Sequence, residues 1–196
     1  MDDIPGVILA GGQSRRMGAD KAFVMLGGQP LISHVIDRIA PQCASVTFNV
    51  NGDYRPFFAL RCPVLSDSEF IGCGPLAGIL TAMCIGALLG ADRVLTVPVD
   101  TPFLPSDLLA RLAAADAPIA LAETSDGPQG TCGLWSVSLR DALRIALKKG
   151  TRKVTDWTGA QGATAVAFED TTPPPFFNIN RPEDLAQAEA YLRAPE

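Results

Sequence analysis

The sequence predicts an α/β protein built on one three-layer, doubly wound, mostly parallel sheet of the Rossmann type. Three observations carry that prediction. Short apolar runs bounded by Gly, Pro or Asn alternate with segments of helical period along the whole chain. One run, "RVLTVPV" at 93–99, is nearly continuously apolar, as in a central strand covered on both faces. The length, 196 residues, fills one core well and two poorly, so 1–196 is read as a single domain.

Each element has its own signal. Val7–Ala10 is a short buried strand. Pro30 opens a helix on which Leu31, Ile32, Val35, Ile36 and Ile39 recur at helical spacing. Ser45–Val50 alternates as a second strand, and Pro63–Leu65 gives a third. The Gly-rich "SDSEFIGCGP" then enters an apolar helix from Leu76 onward. The strand Arg93–Val99 ends at "DTPFLPSD", where Ser106 or Asp107 is placed to cap the next helix. Pro118–Ala122 and Gly133–Val137 are further strands. Ser138 begins a helix that carries Leu139, Leu143, Ala146 and Leu147 on one side, and Lys148-Lys149-Gly150 suits its end. Ala163–Phe168 and the segment around Phe177 read as the last strands, before a helix from Pro182 to Arg193.

Composition removes several function classes. Sixteen basic against twenty-one acidic residues give a net charge of −5, which provides no basic field for nucleic acid. The acidic start "MDDIP" lacks the basic region of a secretory signal. The most apolar stretch, Pro75 to Ala91, is interrupted by Gly78, Gly86 and Gly90 and falls short of the roughly 20 residues that span a bilayer. A cytoplasmic protein without a membrane partner is expected. Five cysteines without a CxxC pair argue against both a disulfide framework and a zinc site; reduced, mostly buried thiols are expected, with Cys73 in its Gly-rich loop the most reactive. The lone histidine, His34, sits among helical neighbours in a packing or surface role, so Ser-His or Cys-His catalysis has almost nothing to draw on.

The chemistry concentrates in "VILAGGQSRRMGADKA" at 7–22. A strand runs into Gly11-Gly12, whose uncovered N–H groups let a ligand approach closely, and Arg15, Arg16 and Lys21 bring positive charge to the same edge. Backbone donors with flexible cations suit a polyphosphate, against the plainer reading of a tight turn with solvated arginines. The dinucleotide pattern GxGxxG fails at Gln13-Ser14, and GxxxxGK[ST] fails because Ala19 follows Gly18 and Ala22 follows Lys21.

The segment Leu9–Lys21 resembles, position by position, the LAxGxSxRMGxxK signature of nucleotidyltransferases with a GT-A-like fold (the nucleotide-diphospho-sugar transferase architecture). Gly-Gly at 11–12, rather than Ala-Gly, is similar to the molybdenum cofactor guanylyltransferases of the MobA type, where the pair goes with guanine rather than cytosine nucleotides. "NVNGD" at 49–53, "SDSEFIGCGPLAGI" at 66–79, "PVDTPFLPSDLL" at 98–109 and "FNINRPEDL" at 177–185 resemble further ordered motifs of that family.

The resemblance implies transfer of GMP from GTP to the phosphate of molybdopterin or the molybdenum cofactor, with release of pyrophosphate. Asp100 would be the Mg²⁺ ligand, its alternative being a helix cap; Lys21 and Arg16 would serve the triphosphate, and Arg15 less firmly. Leu9, Ala10, Gly11 and Gly12 would supply backbone contacts, Asn51 and Asp67 would read guanine or ribose, and Gly74 with Gly78 would flank a close-approach loop. Asn178, Asn180 and Arg152, with Lys153, would face the pterin side, and Trp135 or Trp157 would stack on its ring, with burial in the core the favoured reading for Trp135. Handover of a labile product to an insertion chaperone or the acceptor enzyme follows from the same likeness. Three alternatives stand beside this reading: a cytidylyltransferase for the same cofactor, a sugar-1-phosphate nucleotidyltransferase, and a regulatory nucleotide-binding module, which would have no use for a metal carboxylate such as Asp100.

Overall fold

A computed structural model describes residues 3–11 and 21–193. Its strands are β1 (Gly6–Leu9), β2 (Met25–Leu26), β3 (Gln29–Pro30), β4 (Val46–Asn49), β5 (Val64–Leu65), β6 (Arg93–Pro98), β7 (Ile119–Thr124), β8 (Gly127–Ser136) and β9 (Thr164–Ala167). Its α-helices are α1 (Leu31–Ile39), α2 (Pro75–Leu88), α3 (Leu108–Ala114), α4 (Arg140–Lys148), α5 (Val154–Ala160) and α6 (Pro182–Arg193).

Seven strands form one sheet in the order β5-β4-β1-β6-β8-β7-β9. All neighbouring pairs are parallel except those of β8, which runs against both β6 and β7. Period-two alternation sends successive side chains to opposite faces, and two separate cores result. Val7, Val94, Ile119, Leu121 and Trp135 pack with α2, α4 and α5. Ile8, Leu95, Val97, Ala120 and Leu134 face the other way, onto α1 and α3. Both cores are closed to solvent: Val7, Ile8, Val94, Leu95 and Trp135 are all fully buried, worth about 1.5–3 kcal/mol for each large side chain. A third cluster, with Leu26, Leu31, Phe103, Ile179 and Ala188, docks α6 and the β2–β3 hairpin beside the sheet.

The sequence reading of the sheet and its class holds, with four differences. The segment around Phe177 is irregular rather than a strand; Phe177 packs edge-on to Tyr191 and against Phe103, so side chains fix it instead of a ladder. β2 and β3 form a hairpin across Gly27 and Gly28, both at positive φ, a two-glycine turn signal readable in "MLGGQP". α5 forms from "VTDWTGA", whose β-branched residues and glycine disfavour a helix, because Val154, Trp157 and Thr158 are buried. Asp107 occupies the N-cap of α3 without a side-chain cap bond; instead Gln42 Oε1 accepts from the Leu109 N–H at 2.9 Å. His34 has a packing role, its ring nitrogen bonded to the Leu26 carbonyl at 2.8 Å. All five cysteines are free thiols; Cys132 is buried and the other four are half-buried.

Candidate active site

The chain leaves β1 to build β4 on one side and β6 on the other, so strand order reverses at β1. Crevices that bind ligands open beyond the carboxyl ends of the strands at such a point. Here the crevice is a cavity of about 640 Å³. Leu9, Ala10 and Gly11 line it from the end of β1, Asn49 and Asn51 from β4, and Pro98, Val99 and Asp100 from β6. Lys21, Asp67, Gly74, Gly78 and Thr131 are also among the residues that line it.

Asp100 stands two residues beyond the end of the six-residue strand β6, which gives its carboxylate a rigid mount. One oxygen, Oδ2, pairs with Lys21 Nζ. The other, Oδ1, is buried and has no hydrogen-bond partner among the described residues. An unpartnered buried carboxylate oxygen is costly, and a cation ligated there would remove the cost. Among the described residues no cluster of three acidic, His or Cys side chains surrounds it. One carboxylate together with phosphate oxygens and water is nonetheless how Mg²⁺ is commonly held. Lys21 Nζ also donates to Asn180 Oδ1 at 2.6 Å, and the Ile179 N–H donates to the Asp100 carbonyl at 3.0 Å. Residues far apart in sequence thus meet at one pair of charges.

A second constellation lies across the crevice. Asp67, 3% exposed, accepts at Oδ1 from Asn49 Nδ2 at 2.9 Å and from Thr81 Oγ1 at 2.8 Å, and at Oδ2 from Asn51 Nδ2 at 2.6 Å. The Asp67 N–H returns a bond to Asn51 Oδ1 at 2.9 Å. Three donors on one buried carboxylate order the ends of β4 and β5 against α2. The two glycines facing this network leave it room. A Cβ on Gly11 would stand 2.9 Å from Asn51 Nδ2, and one on Gly78 would stand 2.9 Å from Asn49 Oδ1. Gly74, at φ +80°, caps α2 at the crevice rim in a conformation that favours glycine.

A family model, the MobA-like NTP transferase domain, matches residues 6–165. The chain belongs to that family. It is a nucleotidyltransferase, and its sheet is the GT-A-like fold of these enzymes. A molybdenum cofactor guanylyltransferase of Rhodobacter capsulatus is 46% identical over 191 residues, 97% of each chain. One of Cereibacter sphaeroides is 43% identical over 190 residues, 96% of each. The crystal structure of molybdopterin-guanine dinucleotide biosynthesis protein A from Archaeoglobus fulgidus superposes with a TM-score of 0.75 at 26% identity, covering 96% of this chain and 98% of that one.

In this MobA-like transferase the crevice collects most of the residues singled out from the sequence. Gly12, Arg15 and Arg16 lie outside the described residues. Asn178 and Asn180 are exposed on either side of the buried Ile179, and Asn180 alone reaches the Lys21–Asp100 pair. Arg152 is elsewhere: its guanidinium donates to the Leu147 and Thr151 carbonyls, at 2.9 and 2.8 Å, and lines a separate cleft between α4 and α5 with Lys153. The two tryptophans stack on each other in the core, 6.1 Å between centroids, with Trp135 fully buried and Trp157 3% exposed. Neither presents a face to a ligand ring. Sequence reasoning passed over Asn49, Thr81 and Thr131. Asn49 had a signal, as the other asparagine of "NVN"; Thr81 had none, because it stands mid-way along an apolar helix.

Among the described residues, the thiol coupled to these charges is Cys132. Burial pushes the Cys132 thiol far up, and the Asp100 carboxylate adds to it, so it stays protonated at neutral pH.

Proposed function

We propose that the protein transfers GMP from GTP to the terminal phosphate of molybdopterin or the molybdenum cofactor, forming the guanine dinucleotide and pyrophosphate. The whole chain acts as one nucleotidyltransferase domain of the cytoplasm. The observation that carries this reading is the meeting of Lys21, Asp100 and the glycine-rich end of β1 over one crevice.

An oxygen of the pterin phosphate attacks the α-phosphorus of GTP, the bond from that phosphorus to the bridging oxygen breaks, and pyrophosphate leaves with its electrons. A phosphate monoester is largely ionised at neutral pH, its second pKa being about 6, so no general base is required. That fits a site without histidine or activated thiol. The remaining work is alignment and neutralisation of charge. Lys21, released from Asp100 as nucleotide enters, carries its charge to the triphosphate and stabilises the departing pyrophosphate, with Arg16 as its partner. Asp100 would hold Mg²⁺ through Oδ1, the buried oxygen with no partner. When bound, the ion neutralises phosphate oxygens that the protein alone leaves partly unpaired.

Leu9, Ala10 and Gly11 offer backbone groups to the base and ribose. Asp67 orders Asn51 and keeps one lone pair on Oδ2 for the donor edge of guanine. Gly-Gly at 11–12 favours guanine over the cytidylyl reading by its likeness to the guanine-specific pattern, and a side chain at 11 would press on Asn51. Asn178 and Asn180 face the pterin side. Arg152 is tied to backbone carbonyls and would need to release them to reach the pterin phosphate. The labile product would pass to an insertion chaperone or acceptor enzyme.

Thermal unfolding with GTP, CTP, ATP and UTP, with and without Mg²⁺, tests the reading. Ligand at about 100 times its Kd adds roughly 2.7 kcal/mol, and at about 2–4 °C per kcal/mol the transition rises about 5–10 °C. The rise is expected with GTP, smaller without metal and in Asp100→Ala. A CTP preference would overturn the base assignment, and no shift with any nucleotide would overturn the function.

A further inference from the structure

The segment beside the Lys21–Asp100 pair is held by a side chain that the functional reading does not use. Asn180 and Arg181 both donate their backbone N–H groups to one oxygen, Oδ2 of Asp184, at 2.8 and 2.9 Å. Asp184 stands in the first turn of α6, so this contact also satisfies an N–H group that a helix start leaves over. On the other side, Ile179 is fully buried and its N–H is bonded to the Asp100 carbonyl. Asn180 is therefore fixed from both directions. Its Oδ1 takes one N–H of Lys21, while Asp100 takes another, which among the described residues leaves the third for a ligand.

We propose that Asp184 is a positioning residue for the phosphate-facing lysine, acting through Asn180. An ammonium on a flexible four-carbon stem has no fixed direction of its own. With Asn180 held, Lys21 is shared between an amide and a carboxylate and keeps one donor toward the crevice. With Asn180 loose, Asp100 is its remaining fixed partner among the described residues and the charge turns onto that carboxylate. The inference rests on Lys21 serving the triphosphate; the alternative is that Asp184 does nothing beyond capping α6.

The test uses the full chain with Asp184→Ala, Asn180→Ala, the double variant and Asp184→Asn, which keeps one oxygen to accept both N–H groups. Two readouts are taken. One is Mg–GTP affinity by calorimetry, without the pterin. The other is the rate of Lys21 acetylation in ligand-free protein, measured by mass spectrometry against the exposed Lys149. Loss of a bond to a charged group predicts that Asp184→Ala weakens GTP about fivefold or more and changes the rate of Lys21 acetylation. Asn180→Ala does the same, and the double variant adds less than about twofold to either, as coupled residues require. Asp184→Asn stays close to the wild type in both readouts. The melting temperature falls with Asp184→Ala in either background, because the cap of α6 is lost in both. An affinity loss that persists in full without Asn180, or unchanged Lys21 reactivity in Asp184→Ala, overturns the proposal. Wild-type protein that binds no GTP would overturn the functional reading, while the acetylation rates still decide whether Asp184 positions Lys21.

Discussion

Gly78→Ala is expected to destabilise this protein although it stands inside a helix. Helix propensity alone favours alanine over glycine there by about 0.8–1 kcal/mol. The Cβ, however, would stand 2.9 Å from Asn49 Oδ1 and 3.1 Å from Leu9 Cδ2. Asn49 cannot give way easily, being 1% exposed with its amide on Asp67 at 2.9 Å. Overpacking of this kind costs about 1–3 kcal/mol, and loosening a buried bond to a carboxylate costs about 1–3 kcal/mol more. Subtracting the propensity gain leaves a net loss of about 1–5 kcal/mol, a fall of roughly 2–20 °C in melting temperature for a chain of this size. Gly159→Ala in α5 is the control, because a Cβ there meets nothing within 4 Å. It should raise the melting temperature by about 1–4 °C, from a gain of about 0.5–1 kcal/mol. Calorimetry on the two variants checks the difference in sign, and GTP affinity should fall only in Gly78→Ala. A Gly78→Ala protein as stabilised as the control would refute the close packing of α2 on the nucleotide-facing network.

Lys21→Met should let nucleotide-free protein bind Mn²⁺ more tightly than the wild type, because Asp100 Oδ2 loses its resident cation; electron paramagnetic resonance titration reads this, and equal or weaker binding would refute it. A pH effect follows from Cys43, whose thiol burial pushes up to about 12. The unfolded thiol, with a pKa of about 8.5, loses its proton first as pH rises, so stability present below that value is lost above it at up to about 1.4 kcal/mol per pH unit. Melting temperatures from pH 8 to 10.5 should therefore fall less steeply in Cys43→Ala, and parallel slopes would contradict the burial.

The sequence by itself determined the sheet and most of the crevice floor. Strand ends are local events: an apolar run that stops at Gly, Asn or Asp marks both the element and the edge from which a polar side chain emerges. Leu9–Gly11, Asn51 and Asp100 were legible for that reason. The cavity they line also required the order of strands, which the alternation of elements constrains but does not fix. Elements stabilised by distant burial stayed hidden. α5 has poor propensity and survives on buried Val154 and Trp157, while the stretch near Phe177 has strand-like composition but is held by Phe103 and Tyr191. Which polar side chains act together was decided only in three dimensions. Thr81 looks like any residue of an apolar helix until α2 brings its hydroxyl to Asp67. Lys21 and Asn180 are 159 positions apart, and no spacing rule links them. A hydrogen bond needs its partners within a few tenths of an ångström, a condition set by the packing of whole elements rather than by the residues on either side in the chain.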